Sequence, residues 1–158
     1  MSVGFLGLAS IESELTPRLV SGLYVEAMVL ADEVRAYFDE QGRGDREGMS
    51  PLERVSLSCE SIKVTTRLMH IIAWLLTRRA VQAGEISQEE SINPDRRLGE
   101  AADSEAIALD RLPIRARSLI SASLDLYQRV ARLDAGLVPH QHMISPARSL
   151  FSRLEAAF

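Results

Sequence analysis

The sequence predicts an all-α protein, an antiparallel three-helix bundle with a long central helix and a short C-terminal helix. Three observations predict it. Apolar residues recur every three or four positions through long stretches, proline stands just inside four helix starts, and no β-strand alternation of useful length appears anywhere. The 158 residues suit one domain, taken as 1–158, that is large enough to bury a core of its own. Hydrophobic residues make up 46%, charged residues 25% and aromatics only 5%, the balance of a soluble helical chain rather than a disordered one.

The first helix opens at Thr16-Pro17, where the missing proline N–H costs nothing, and carries Leu19, Leu23, Ala27, Leu30, Val34 and Phe38 on one face to about Gln41. Gly42, Gly44 and Gly48 stop it. The second opens at Ser50-Pro51-Leu52-Glu53, a capping box in which serine and glutamate satisfy each other's orphan N–H groups. It continues to about Ala83, with Gly84 as a left-handed terminator, and at 1.5 Å per residue measures roughly 50 Å. It is the spine of the molecule. The third runs from Leu112-Pro113 to about Ala135, with Leu119, Leu126, Val130 and Leu133 on one face, and glycine closes it. The fourth, Pro146 to about Ala157, carries Leu150, Phe151 and Leu154. Between the spine and the third helix lie residues 85–112, with one helical turn expected at Ser87–Ser91 and acidic coil beyond. A connection this long is expected to be mobile.

On a helical wheel the spine carries two apolar seams. Val55, Cys59, Ile62, Thr66, Met69, Ala73, Leu76 and Ala80 form the first; Leu57, Val64, Leu68, Ile71 and Leu75 form the second, about 120° away. Two seams imply two neighbours, as in a bundle whose helices all touch. The remaining face holds Lys63, Arg67, Trp74 and Arg78, a basic stripe around the only tryptophan outside both seams, with cation–π stacking across it. Two readings of Trp74 stand: it is covered by residues 85–112 or by the fourth helix, or it points outward as the anchor of a protein interface. Tryptophan and arginine dominate binding hot spots, so this stripe is the candidate protein-interaction surface. Arg96 and Arg97 of the mobile connection, and Arg129 and Arg132 of the third helix, are further candidates.

Several chemistries find no support. Net charge is −4, which opposes general nucleic-acid binding. No apolar run reaches the roughly 20 residues of a membrane span, and the opening "MSVGFLGLASIESEL" lacks the basic lead-in of a secretory signal. The single cysteine, Cys59, excludes an intrachain disulfide, suits a reducing cytoplasm, and on the first seam reads as a buried thiol. His140 and His142 have the spacing of two metal ligands but no third, and His70 reads as packed beside the seams. No phosphate-binding loop, dinucleotide fingerprint or nucleophile elbow occurs. A helical enzyme of the chorismate mutase kind needs inward arginines, whereas these are expected outside both seams. No catalytic residue, cofactor or metal is assigned.

"VTTRLMHIIAWLLTRRAVQAGEIS" on the spine, "RRLG" at Arg96 to Gly99 and "LPIRARSLISASLDLYQRVARLD" from Leu112 to Asp134 together resemble the alphaproteobacterial family of the regulator of CtrA degradation, RcdA. The likeness spans most of the chain. It implies a cytoplasmic, homodimeric, non-enzymatic adaptor that helps deliver cell-cycle regulators to the ClpXP protease. The implied partners are the ClpX unfoldase, receiver-domain response regulators and a cyclic-di-GMP-binding adaptor, with neither nucleic acid nor membrane bound. A DNA-associated transcriptional regulator is the alternative, favoured by the "TRR" and "DRR" pairs.

Overall fold

The computed structural model describes residues 15–138 and 146–157; the opening 1–14 and the pair His140 and His142 lie outside these. Helix α1 spans Pro17–Ala36, capped by Thr16, whose hydroxyl accepts the Leu19 N–H at 3.1 Å. A π turn, Tyr37–Gln41, widens its end. There the buried Tyr37 hydroxyl donates to Asp45 at 3.0 Å, across to the short helix α2, Arg43–Glu47. Burial, aided by that bond to Asp45, pushes the Tyr37 phenol up to about 12, so it stays a donor at neutral pH.

Helix α3, the spine, is Pro51–Gln82. Its capping box forms as expected, with Ser50 and Glu53 each bonding the other's backbone N–H at 3.2 Å. Gly84 has φ +76°, and the Glu85 N–H returns to the Ala80 carbonyl at 2.9 Å. Only glycine reaches that conformation without strain. Helix α4, Gln88–Ser91, is the expected single turn, capped by Ser87. Then come a 3₁₀ turn at Pro94–Arg96, helix α5 at Ala106–Leu109, and helix α6, Ile114–Leu137. Helix α6 runs through Gly136 instead of stopping there, and the added turn buries Leu137. Helix α7, Pro146–Ala157, follows the expected bounds.

The all-α bundle with a long central helix is therefore present, but one pair of directions differs from expectation. Arg79 of α3 stacks over Tyr24 of α1, and the far end of α1, from Ala31 into the π turn at Phe38, lines one groove with α3 residues from Ser61 to Ile72, so α1 and α3 run antiparallel. Arg129 of α6 meets Glu26 and Arg115 meets Glu33, so α1 and α6 do too. Arg67 of α3 meets Ser123 of α6 while Trp74 meets Asp134, which makes α3 and α6 parallel. A parallel pair cannot be joined by a tight turn. The chain must travel back along the spine, a path of about 48 Å, and residues 85–112 are that return.

The core is built from Val20, Leu23, Ala27, Leu30 and Val34 of α1, the second spine seam, and Leu119, Ile120, Leu126 and Val130 of α6, all buried. Each large aliphatic side chain contributes roughly 1.5–3 kcal/mol. The first spine seam is not part of it. Val55, Ile62, Met69 and Leu76 are 59%, 67%, 62% and 47% exposed, and Cys59 is exposed rather than buried. The face expected to be outward is buried in its place: Arg67 and Trp74 are each 1% exposed and Arg78 3%. The spine is turned so that its basic, tryptophan-bearing face lies under the returning chain.

Ser50→Ala and Gly84→Ala should each lower unfolding free energy by about 1 kcal/mol. Urea titration should show the midpoint falling with unchanged slope.

Candidate functional site

The returning chain is tied to the bundle by two polar clusters built on the spine's inward face. In the first, the Trp74 indole N–H donates to Asp134 Oδ1 at 2.9 Å. Arg97 closes a two-pronged pair on the same carboxylate, Nε to Oδ1 at 2.8 Å and Nη2 to Oδ2 at 2.9 Å, and the Leu98 N–H adds a fourth bond at 3.4 Å. Arg78 lies over the Trp74 ring, 5.6 Å from its centroid, and donates to the Ser91 carbonyl at 3.3 Å. About two turns back along α6, the Tyr127 hydroxyl donates to the Gly99 carbonyl at 2.7 Å. Gly99 is held so close to the His70 ring that a Cβ there would fall 2.7 Å from Nδ1, which no side chain tolerates.

The second cluster centres on Arg67. Its guanidinium donates to Ser123 Oγ on α6 at 3.2 Å, to the Ala102 carbonyl at 2.7 Å and to Ser104 Oγ at 2.6 Å. The Ser104 hydroxyl in turn donates to the buried Glu60 carboxylate, which Lys63 also meets at 3.0 Å. Both clusters join side chains of α3 and α6 to the returning chain.

Their electrostatics follow from burial and pairing. Burial pulls the Arg67 and Arg78 guanidinium groups below their ordinary value, with Glu60 and Asp134 respectively opposing it. For Asp134, burial favours the neutral acid, but hydrogen bonds from Arg97 and Trp74 outweigh it and hold the carboxyl below its usual range. Its contribution to stability is thus complete above an unfolded carboxyl's pKa near 4 and is lost as pH falls further through the folded value.

The expected site residues are therefore redistributed. Arg67, Trp74 and Arg78 are internal, which overturns their reading as an outward stripe; the predicted stacking of arginine on tryptophan is present, but inside the fold. Lys63 is half-buried against Glu60, and Arg97 is engaged by Asp134. Arg96 and Arg132 are exposed. Arg129 joins Asp125 and Glu26 across α1 and α6. Residues 85–112, expected to be mobile, are bonded to the spine or α6 at Ser91, Arg97, Leu98, Gly99, Ala102 and Ser104. The inward arginines also remove the reason for setting a helical enzyme aside. Arg67 donates to a serine hydroxyl and a backbone carbonyl, and Arg78 to a backbone carbonyl, of the same chain. One arginine of each basic pair is also engaged within the chain, Arg78 by the Ser91 carbonyl and Arg97 by the Asp134 carboxylate.

Asp134, Glu60, Ser104 and Ser123 escaped the sequence reading. A signal existed for two of them: Ser123 and Asp134 occupy the same α6 face as Leu119, Leu126, Val130 and Leu137, and a polar residue on an apolar row asks for a buried partner.

What the fold and these clusters define is a helical bundle braced by its own crossover. The chain belongs to the family described as a protein of unknown function, DUF1465, which matches residues 11–158, and it is an RcdA-like member of it. It is similar to the crystal structure of RcdA from Caulobacter crescentus CB15, with 33% identity and a TM-score of 0.61 over 75% of this chain and 90% of that one. No curated protein matches it. No described helix is long and apolar enough to cross a membrane, and no group of three or more metal-ligating side chains occurs among the described residues.

Asp134→Asn should lower stability by about 3 kcal/mol, since it leaves the Arg97 and Arg78 charges without their carboxylate. Proteolysis between residues 92 and 104 should accelerate in the same variant. Wild-type stability should fall on acidification below about pH 4 more steeply than that of the variant.

Proposed function

We propose that this protein is a non-enzymatic, homodimeric adaptor of the cytoplasm that helps deliver cell-cycle regulators to the ClpXP protease. Its partners in this reading are the ClpX unfoldase, a receiver-domain response regulator and a cyclic-di-GMP-binding adaptor; it takes no cofactor and binds no nucleic acid. The observation that carries the reading is where apolar surface lies. Large side chains are exposed in rows on α3 and, at Leu150, Phe151 and Leu154, on α7, while the arginines and carboxylates that chemistry would need are engaged in holding the crossover. Extended apolar rows on the outside of a small bundle suit protein partners. Membership of the RcdA family, with 33% identity to a protein known as RcdA, supports the same reading.

The test is reconstituted proteolysis of a receiver-domain response regulator by ClpXP from the same cell. Adding this protein together with the cyclic-di-GMP-binding adaptor should raise the degradation rate several-fold. An unchanged rate, with binding to generic duplex DNA that weakens steeply as salt rises, would transfer the function to the DNA-associated alternative.

A further inference from the structure

The outward seam of the spine is too regular to be incidental exposure. Val55, Ile62, Met69 and Leu76 stand seven residues apart, and Cys59, Thr66, Ala73 and Ala80 stand seven apart between them. This is a heptad ladder on a single straight helix, with large residues at one core position and small residues at the other. It runs about 37 Å along the molecule and includes no charged residue among its eight positions. Its polar neighbours are already satisfied. The hydroxyls of Ser58, Thr65, Thr66 and Thr77 all donate back to carbonyls of their own helix, at 3.0, 2.9, 3.0 and 3.0 Å. Covering this face would strand no hydroxyl, and charge depletion is what separates interface centres from ordinary surface.

The ladder also specifies its occupant, because it is complementary to itself. When two copies are placed antiparallel about a two-fold axis between Arg67 and Leu68, Val55 falls opposite Ala80 of the second copy, Cys59 opposite Leu76, Ile62 opposite Ala73 and Thr66 opposite Met69. Every pair joins a large residue to a small one. A parallel pairing in register would instead set large against large and small against small, alternating clashes with gaps. A two-fold interface must use the same patch on both copies, and this patch meets that condition along its whole length.

We infer that the outward seam of α3 pairs with the same seam of a second copy, antiparallel and centred between Arg67 and Leu68. The inference rests on the homodimer reading above and adds the surface and the register. One consequence concerns the only thiol, because Cys59 is open in a single copy and is covered by Leu76 of the second copy on assembly.

Sedimentation of the wild-type protein tests the dimer, and three further measurements test the seam. Ala73→Glu, on an exposed position, should keep the helical circular dichroism while weakening self-association at least about 100-fold. Cys59 should react slowly with a soluble thiol reagent in the concentrated wild type and rapidly on dilution or in Ala73→Glu. Spin labels at Gln82→Cys, in a Cys59→Ser background, should lie about 45 Å apart in the antiparallel pair and near 10–15 Å in a parallel one. A dimer undisturbed by Ala73→Glu would overturn the seam and leave the dimer reading standing; a short label separation would overturn the register. A wild type that stays monomeric at every concentration would overturn both, and a protected Cys59 in that monomer would show another part of the chain covering the face.

Discussion

The carboxylate of Asp134 is the point on which the architecture turns. It accepts from the spine through Trp74 and from the returning chain through Arg97 and the Leu98 backbone, and it is itself carried by the last bundle helix. Three segments that are distant in sequence thus meet at one buried group. An ionised carboxylate with this little exposure is tolerable only when its lone pairs are filled, and here four donors fill them. The Arg67 cluster repeats the arrangement about two turns along the spine with neutral serine hydroxyls. Together they explain why two parallel helices, which have no short connection to align them, hold a fixed register.

These clusters also account for the orientation of the spine. A helix with apolar seams on two sides and a basic, tryptophan-bearing third side has two ways to sit in a bundle. Hydrophobicity alone favours burying both seams. The crossover changes the balance, because it brings backbone carbonyls, at the buried Ser91 and at Ala102, that take donors from the spine. Arg67 and Arg78 supply them, and the Trp74 ring covers the guanidinium of Arg78. Burying this face leaves the Val55 to Ala80 seam facing outward, so the outer surface of the protein is set by what its own connection requires.

Much of the fold was legible in the sequence. The proline starts, the capping box, the glycine stop at Gly84 and the single turn at Ser87 are local signals, fixed by backbone chemistry within a few residues, and each appears where the pattern places it except that Pro113 caps its helix from just outside. The core face of α1 was legible from Leu23 to Val34, though Val20 is buried where Leu19 was expected, and the second spine seam was legible as well. The inner and outer sides of the spine were not, because a wheel shows which residues share a face but not which face meets a neighbour. That depends on contacts such as Trp74 to Asp134, sixty positions apart, and on helix direction, which no local pattern encodes. The length of the 85–112 connection did carry the direction: a turn between antiparallel helices needs only a few residues, whereas this segment is long enough to run back along the spine. The candidate site was the least legible part, since arginine and tryptophan at helical spacing read the same whether they await a partner protein or hold a crossover.

The parallel pairing of α3 and α6 also shapes how the chain reaches its native state. Helices α1 and α3 are neighbours in sequence and close a small loop, so their hairpin can collapse early. The contacts that lock α6 close loops of some sixty residues, and loop-closure entropy is lost before those contacts offset it. Refolding is therefore governed by the moment the crossover lies down along the spine, and until then the tryptophan face remains wet.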